Sequence, residues 1–355
     1  MSTSLYSQQN LSAWQCNYMG GKIFKHSPKI HIAVPPYSQA LELSYTMQTL
    51  GKKEWHQRYG FPEIGMSVTA ANYGSSALGY AIGVYPTIQT RLIKIRSGNL
   101  YLKVGAGLGY VSKKWNRLPN EDTLNNIIGS HINNFTMFQL GVKQPINKHW
   151  VAHAGFHFFH TSNASAKQPN LGINAYGLFI GASYYPNTYV NVFEKKVWGA
   201  SKNPLEFYWK NSIAYAEDKV VDGPMYSFFS NAMMLSKKYR NKSKIQVGLE
   251  ATYSSKLYAL FVNNHIYPGQ ERKKAWIYSA FLSHEFIFGS VGVPLQMGTY
   301  IRRELGGIPV YQKLGFNVYM LKKPYGFLKN IYASALLKTH FLQAEYAEFG
   351  LGFVL

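Results

Sequence analysis

His160 and Ser162 stand two positions apart at the end of an alternating segment that runs from Trp150 to Asn163. On a β-strand, residues i and i+2 share a face and lie next to each other on it. An imidazole and a hydroxyl so placed suit a general base and the nucleophile it activates. Asn174 opens the next alternating segment at the same rim, so a third polar group converges on the pair. His153 and His157 fall on the opposite row of the first segment, at i and i+4. That separation on a strand is too long for two ligands of one metal, and both are read as lining an interior. No phosphate-binding glycine loop, Cys/His cluster or helical cofactor motif occurs, so neither a metal nor a cofactor is expected.

The elements that must position these groups are strands. The row of His160 and Ser162 begins Trp150, Ala152, Ala154, Phe156, Phe158. Asn174 is followed on its own row by Tyr176, Leu178, Ile180, Ala182 and Tyr184. Both rows suit lipid, and the polar groups sit where that apolar wall meets head groups. A polar side chain there is costly unless it has a partner or a job. The same alternation recurs at 101–110, with Leu102, Val104, Ala106, Leu108 and Tyr110 on one face. It recurs at 244–253, with Ile245, Val247, Leu249, Ala251 and Tyr253, and again at Ile64, Met66, Val68 and Ala70. Roughly sixteen such segments can be marked, with boundaries good to a few residues. Turns near Asn147-Lys148 and Gly289-Ser290 are short, whereas 113–132 and 257–273 are long, polar and expected to face outward.

The expected fold class is therefore all-β: an antiparallel transmembrane β-barrel. One barrel of about 14–16 strands is preferred, because it avoids two separate closures; two tandem 8-stranded barrels are the alternative. Residues 186–204 are mixed and unpatterned and divide the chain. Residues 1–187 form a barrel half carrying the candidate site, and 188–355 a second half. The halves end alike, NAYGLFIGASYY at 174–185 and AEFGLGFVL at 347–355, which suggests an ancestral duplication.

Composition agrees. Of 355 residues only 15% are charged, 16% are aromatic, and there are 28 Tyr and 31 Gly. A soluble domain carries about a quarter charged residues. With a mean hydropathy of −0.18 and no run of about eighteen apolar residues, a helical membrane protein is excluded. A barrel passes that test because its two rows cancel. The single Cys16 excludes a disulfide framework within the chain. Residues 1–14, MSTSLYSQQNLSAW, show no basic n-region followed by an apolar h-region, so no export signal is visible there. The net charge of +21 suggests anionic partners. The Lys and Arg are scattered, often in turns such as Lys237-Lys238-Tyr239-Arg240-Asn241-Lys242, which favours lipid phosphate or simple solvation of turns, and no nucleic-acid partner is expected. Tyr110, Tyr184, Tyr185, Trp150 and Trp198 read as interface-belt aromatics. The last residues, Glu348-Phe-Gly-Leu-Gly-Phe-Val-Leu355, resemble the terminal strand by which the barrel assembly machinery recognises outer-membrane barrels, with Leu355 where Phe is commoner.

One stretch is more specific. His160-Thr161-Ser162-Asn163, then Lys167-Gln168-Pro169-Asn170-Leu171-Gly172-Ile173-Asn174, resembles the signature of the lipid A 3-O-deacylase (acyloxyacyl hydrolase) family. Those are small outer-membrane barrels with a lipid-facing active site, and the resemblance covers about 35–187. It implies an outer-membrane serine esterase acting on an ester-linked acyl chain of lipid A, the lipid anchor of lipopolysaccharide. By that resemblance Ser162 is the nucleophile and His160 the base. Asn163, with loop N–H groups, stabilises the oxyanion, and Asn170 matches a position near the site. Asn174 stands where the family places a Glu; an Asn can fix an imidazole tautomer but supplies no negative charge. Glu42 is a candidate substitute carboxylate. The other reading is a non-catalytic barrel, a porin or surface-binding protein, that inherited the motif. His340 lies in a similar Thr339-His340-Phe341, but Leu342 replaces the serine and the row looks inward, so no catalytic role is expected.

Overall fold

Strands that separate lipid from a packed lumen need apolar and small or polar residues in alternation, and the chain forms them. The computed structural model describes residues 11–116, 125–189, 193, 195–199, 203–239, 241–321, 326–341 and 343–355. Among these residues the strands sort into two closed antiparallel barrels of eight. The first comprises β1 (Ser12–Ile23), β2 (Ser38–Gln48), β3 (Glu63–Asn72), β4 (Tyr80–Ile95), β5 (Gly98–Val111), β6 (Ile132–Pro145), β7 (Trp150–Ser162) and β8 (Ile173–Tyr184). The second comprises β9 (Leu205–Glu217), β10 (Met225–Tyr239), β11 (Ser243–Ser254), β12 (Trp276–Phe288), β13 (Val291–Arg302), β14 (Val310–Tyr319), β15 (Asn330–His340) and β16 (Gln343–Val354). Sequence neighbours pair throughout each barrel. β1 pairing with β8 closes the first ring, and β9 pairing with β16 closes the second. One compact unit comprises residues 1–163 and 169–197, the other 164–168 and 198–355.

The antiparallel barrel is as expected, but the preference for one ring of about 14–16 strands is corrected to the tandem alternative. The inward rows supply the reason. An eight-stranded ring has an interior that side chains can fill, whereas a sixteen-stranded one leaves an aqueous channel. In the first lumen the fully buried Glu42 accepts hydrogen bonds from Asn17, Tyr85, Lys103 and Gln139, which come from four other strands. In the second, Lys313 donates to Glu250 and Glu348, and Lys210 to Glu348. Such pairs satisfy each other only in a narrow, water-poor space. Inward glycines make room for the rings between them: a Cβ at Gly83 would lie 2.4 Å from the Phe135 ring, and one at Gly298 2.2 Å from that of Tyr311. The segments with similar endings, 174–185 and 347–355, fall largely in β8 and β16, the last strand of each ring.

Outward rows are those read from the sequence. Leu108 in β5 and Val247 and Leu249 in β11 are exposed, as are the rim aromatics Tyr110, Trp150 and Tyr184. Tyr185 is a correction: it is buried against Ala13 and Val151 rather than in a belt, because it follows the last residue of β8 and turns inward. Trp198 is partly exposed within the 186–204 connection, of which 190–192, 194 and 200–202 lie outside the described residues. So does Arg240, while the turns at 146–149 and 289–290 are short. The stretch 257–273 is long, but it is not simply polar. It holds helices α1 (Ser255–Asn263) and α2 (Glu271–Lys274). Ser254 caps α1 by accepting from the Leu257 N–H, and Leu257 and Phe261 bury against Ala275 and Ile277.

At one end of the first barrel the connections 24–37 and 73–79 and residues 112–116, 125–131 and 169–172 gather into a cap. Ile30, Ile32, Leu78, Ile127 and Ile128 are buried there in one cluster with the lumen aromatics Phe135 and Phe159. The Asn126 side chain accepts from the His31 N–H and donates to the Lys29 carbonyl. The Leu171 N–H donates to the Ile127 carbonyl at 2.8 Å, and Asn170 bridges Ile128. This rim is what holds 169–172 near the end of β7.

Candidate active site

Register places the central pair: in the β7–β8 ladder His160 lies directly opposite Asn174. Both belong to the outward row, one position beyond its apolar part. The Asn174 Oδ1 and His160 Nδ1 are 2.6 Å apart. An amide oxygen only accepts, so Nδ1 carries the hydrogen, and in the neutral ring Nε2 keeps its lone pair. The Ser162 hydroxyl, 2.8 Å from Nε2, donates to it. The chain Ser162–His160–Asn174 thus has the tautomer that a general base requires. Ser162 is only 8% exposed and Asn174 9%, while Phe156, Leu178 and Ile180 on the adjoining wall are 60–66% exposed. The hydroxyl is therefore sheltered at the top of an apolar, lipid-facing strip.

The loop that follows Ser162 is held from within. The Asn163 N–H donates to Asn170 Oδ1 at 2.9 Å, and its side-chain amide donates to Ser130 Oγ at 2.9 Å. Asn170 therefore anchors the loop through the Asn163 N–H, and Ser130 holds the Asn163 side-chain amide. Gly172 adopts φ +80°, and a Cβ there would lie 2.6 Å from His160 Cε1. Only a glycine accommodates both the left-handed backbone and the imidazole against it.

The structure does not bring Glu42 to this site. It is on the inward row of β2, fully buried, with its carboxylate engaged by Asn17, Tyr85, Lys103 and Gln139. Among the described residues the hydrogen-bond partners of His160 are Ser162 and Asn174, and neither is a carboxylate. His153 and His157 face the lumen, the former 2.8 Å from Ser183 Oγ. His340 turns inward to the Tyr300 hydroxyl at 2.8 Å, and Leu342 lies outside the described residues.

Sequence reasoning missed two groups. Gly172 was in plain view in the Pro-Asn-x-Gly run, but its role depends on the imidazole packed against it. His26, in the 24–37 connection, lies 148 positions from Asn174, and its Nδ1 is 2.8 Å from the Asn174 amide nitrogen. No local spacing marks it.

Two family models match successive parts of the chain. One, described as "Lipid A 3-O-deacylase (PagL)", covers 39–183; the other, "Acyloxyacyl hydrolase, C-terminal domain", covers 187–355. The chain is similar to the lipid A 3-O-deacylase family over the first of these stretches and to its C-terminal acyloxyacyl hydrolase domain over the second. The Ser162–His160–Asn174 group lies inside the first match, and the second match contains all of β9–β16. Among solved structures, that titled as the outer membrane enzyme PagL is 19% identical, with a TM-score of 0.33, over 47% of this chain and 97% of its own. An outer membrane channel from Pseudomonas putida F1 is 9% identical, with a TM-score of 0.22, over 100% of this chain and 98% of its own. CdiB from Acinetobacter baumannii is 9% identical, with a TM-score of 0.20, over 98% of this chain and 60% of its own. No curated protein matches by sequence. The chain is an outer-membrane β-barrel protein: its strands close into rings whose outward rows are apolar.

Proposed function

We propose that the first barrel is a serine esterase that removes an ester-linked acyl chain from lipid A in the outer membrane. The observation that carries this is the chain of hydrogen bonds Ser162–His160–Asn174, in the base-competent tautomer, at the top of a lipid-facing wall. A lipid entering sideways lays its acyl tail along Phe156, Leu178 and Ile180, which brings the ester carbonyl to Ser162. Ser162 Oγ attacks that carbon as its proton passes to His160 Nε2. The side-chain amide of Asn163, held through Ser130, faces the developing oxyanion. Collapse transfers the proton from His160 to the departing alcohol and leaves an acyl-serine, which water hydrolyses with His160 again as base. Asn174 keeps the ring oriented but adds no charge to steady the imidazolium, so turnover is expected to be slower than with a carboxylate there.

The porin reading is disfavoured by the lumens, which carry paired ions and stacked rings such as Phe135 against Phe159 instead of a water-filled channel. The terminal strand β16 is proposed as the segment the barrel assembly machinery reads. The test of the esterase is mass spectrometry of lipid A from outer membranes carrying the chain. The expected result is loss of one acyl chain with the wild type and none with Ser162→Ala. Unchanged lipid A from the wild type, or equal loss from Ser162→Ala, rejects it.

A further inference from the structure

An amide in place of a carboxylate raises a difficulty that the structure answers. A carboxylate offers an acceptor whichever oxygen faces the imidazole. An amide offers an acceptor at one end and a donor at the other, and the wrong end selects the wrong tautomer. If the Asn174 amide nitrogen faced His160, Nδ1 would have to accept, Nε2 would carry the hydrogen, and His160 could no longer take the proton of Ser162. The group that decides between the two orientations is on the far side of the amide. His26 Nδ1 lies 2.8 Å from Asn174 Nδ2, and His26 Nε2 lies 2.9 Å from the Leu171 carbonyl oxygen. His26 Nδ1 also lies 3.3 Å from the Phe24 carbonyl oxygen, but the Leu171 contact is the shorter, and a carbonyl only accepts, so in the neutral ring Nε2 carries the hydrogen and Nδ1 accepts. That requires the amide nitrogen to face His26 and the amide oxygen to face His160. The reverse orientation would need a second proton on His26.

We propose that His26 is a positioning residue which, by accepting from the Asn174 amide, fixes that amide's orientation and through it the base-competent tautomer of His160. His26 touches neither substrate nor Ser162; it acts two hydrogen bonds away. The proposal rests on the esterase reading for its catalytic consequence, but its structural claim stands apart from activity. It also explains how this chain can keep a usable base with Asn in place of a carboxylate.

Two measurements test it. In folded protein labelled with 15N-histidine, the His160 ring is expected to show an unprotonated Nε2 in the wild type and a large fraction of Nε2–H in His26→Ala. An unchanged ring pattern in His26→Ala overturns the proposal, whether or not the chain deacylates lipid A. In kinetics, His26→Ala is expected to lower kcat by about 10²-fold with little change in KM, the size of a lost acid–base contribution. In an Asn174→Glu background the same substitution is expected to cost under about twofold, since a carboxylate has no wrong end. Equal losses in both backgrounds would mean that His26 only supports its loop, and would overturn the proposal. His26→Gln, whose side-chain oxygen can accept from Asn174, is expected to recover part of the rate.

Discussion

Gly172 lies so close beneath His160 that a β-carbon on it would come within 2.6 Å of the imidazole Cε1. The same residue has φ +80°, a conformation that resists any L side chain. Gly172→Ala is therefore expected to push the ring off its line to Ser162. A displacement of about 1 Å in a catalytic group lowers rate by about 10²-fold. Gly269→Ala is the control: φ there is +78°, but nothing lies within 4 Å of the added carbon. Both variants are expected to fold, and only Gly172→Ala should lose lipid A deacylation in a detergent-micelle assay. Equal activity of the two would show that Gly172 has no part in placing the base.

Glu42 is expected to matter for stability and not for chemistry. Its carboxylate ties β2 to four other strands across the first lumen, and the Lys103 ammonium beside it is as deeply buried, at 2.9 Å. Removing one member of such a pair leaves an uncompensated charge and costs about 3–5 kcal/mol. Glu42→Ala should lower the unfolding free energy in urea by that amount. Replacing both partners, Glu42→Leu with Lys103→Met, should recover much of it. Activity per folded molecule should stay within about twofold in both, because Glu42 and His160 lie on opposite faces of the wall. A loss of turnover in well-folded Glu42→Ala would return Glu42 to the site.

What could be read in the residues beforehand follows from the range of each interaction. The strands were legible because a wall between two media imposes its period on every segment, as Ile245, Val247 and Leu249 against Gln246, Gly248 and Glu250 show. The pair His160 and Ser162 was legible because neighbours on a row are set by chain geometry alone. Ring closure was not, since the choice of β1 and β8 as partners is made across the lumen, by contacts such as Glu42 with Lys103, and leaves no local mark. Glu42 does not serve His160 because the row it occupies faces the lumen. Between Ala40 and Ser44 it was already on an inward one. His26 could not be found, because it reaches Asn174 only after the barrel has closed and the 24–37 connection has folded over its rim.

Neither barrel should conduct. Phe135, Phe159 and Tyr85 stack across the first lumen, and Lys244, Tyr319 and Glu285 bond to one another in the second. Rings this small are filled by their own side chains. In planar bilayers the purified chain is expected to give no stable ion steps above background. Regular conductance steps would indicate an open lumen and support the channel reading over the esterase.

The second barrel is expected to span the membrane as the first does, and its outward row allows a depth-resolved check. On β11, Ile245, Val247 and Leu249 are 52–60% exposed, whereas Glu250 on the opposite row is buried. Ile245 lies two residues from the start of the strand and Leu249 near its middle. A cation on a lipid-facing position costs about 2–4 kcal/mol at the bilayer midplane and about 0–1 near the interface. Leu249→Arg should thus destabilise the barrel by the larger amount and Ile245→Arg by the smaller, measured by urea unfolding from phospholipid vesicles. In water the two substitutions would place an Arg on an equally exposed surface and cost the same small amount. Small and equal effects would therefore mean that this outward face of the second barrel meets solvent, and would confine the membrane-spanning wall to the barrel that carries Ser162.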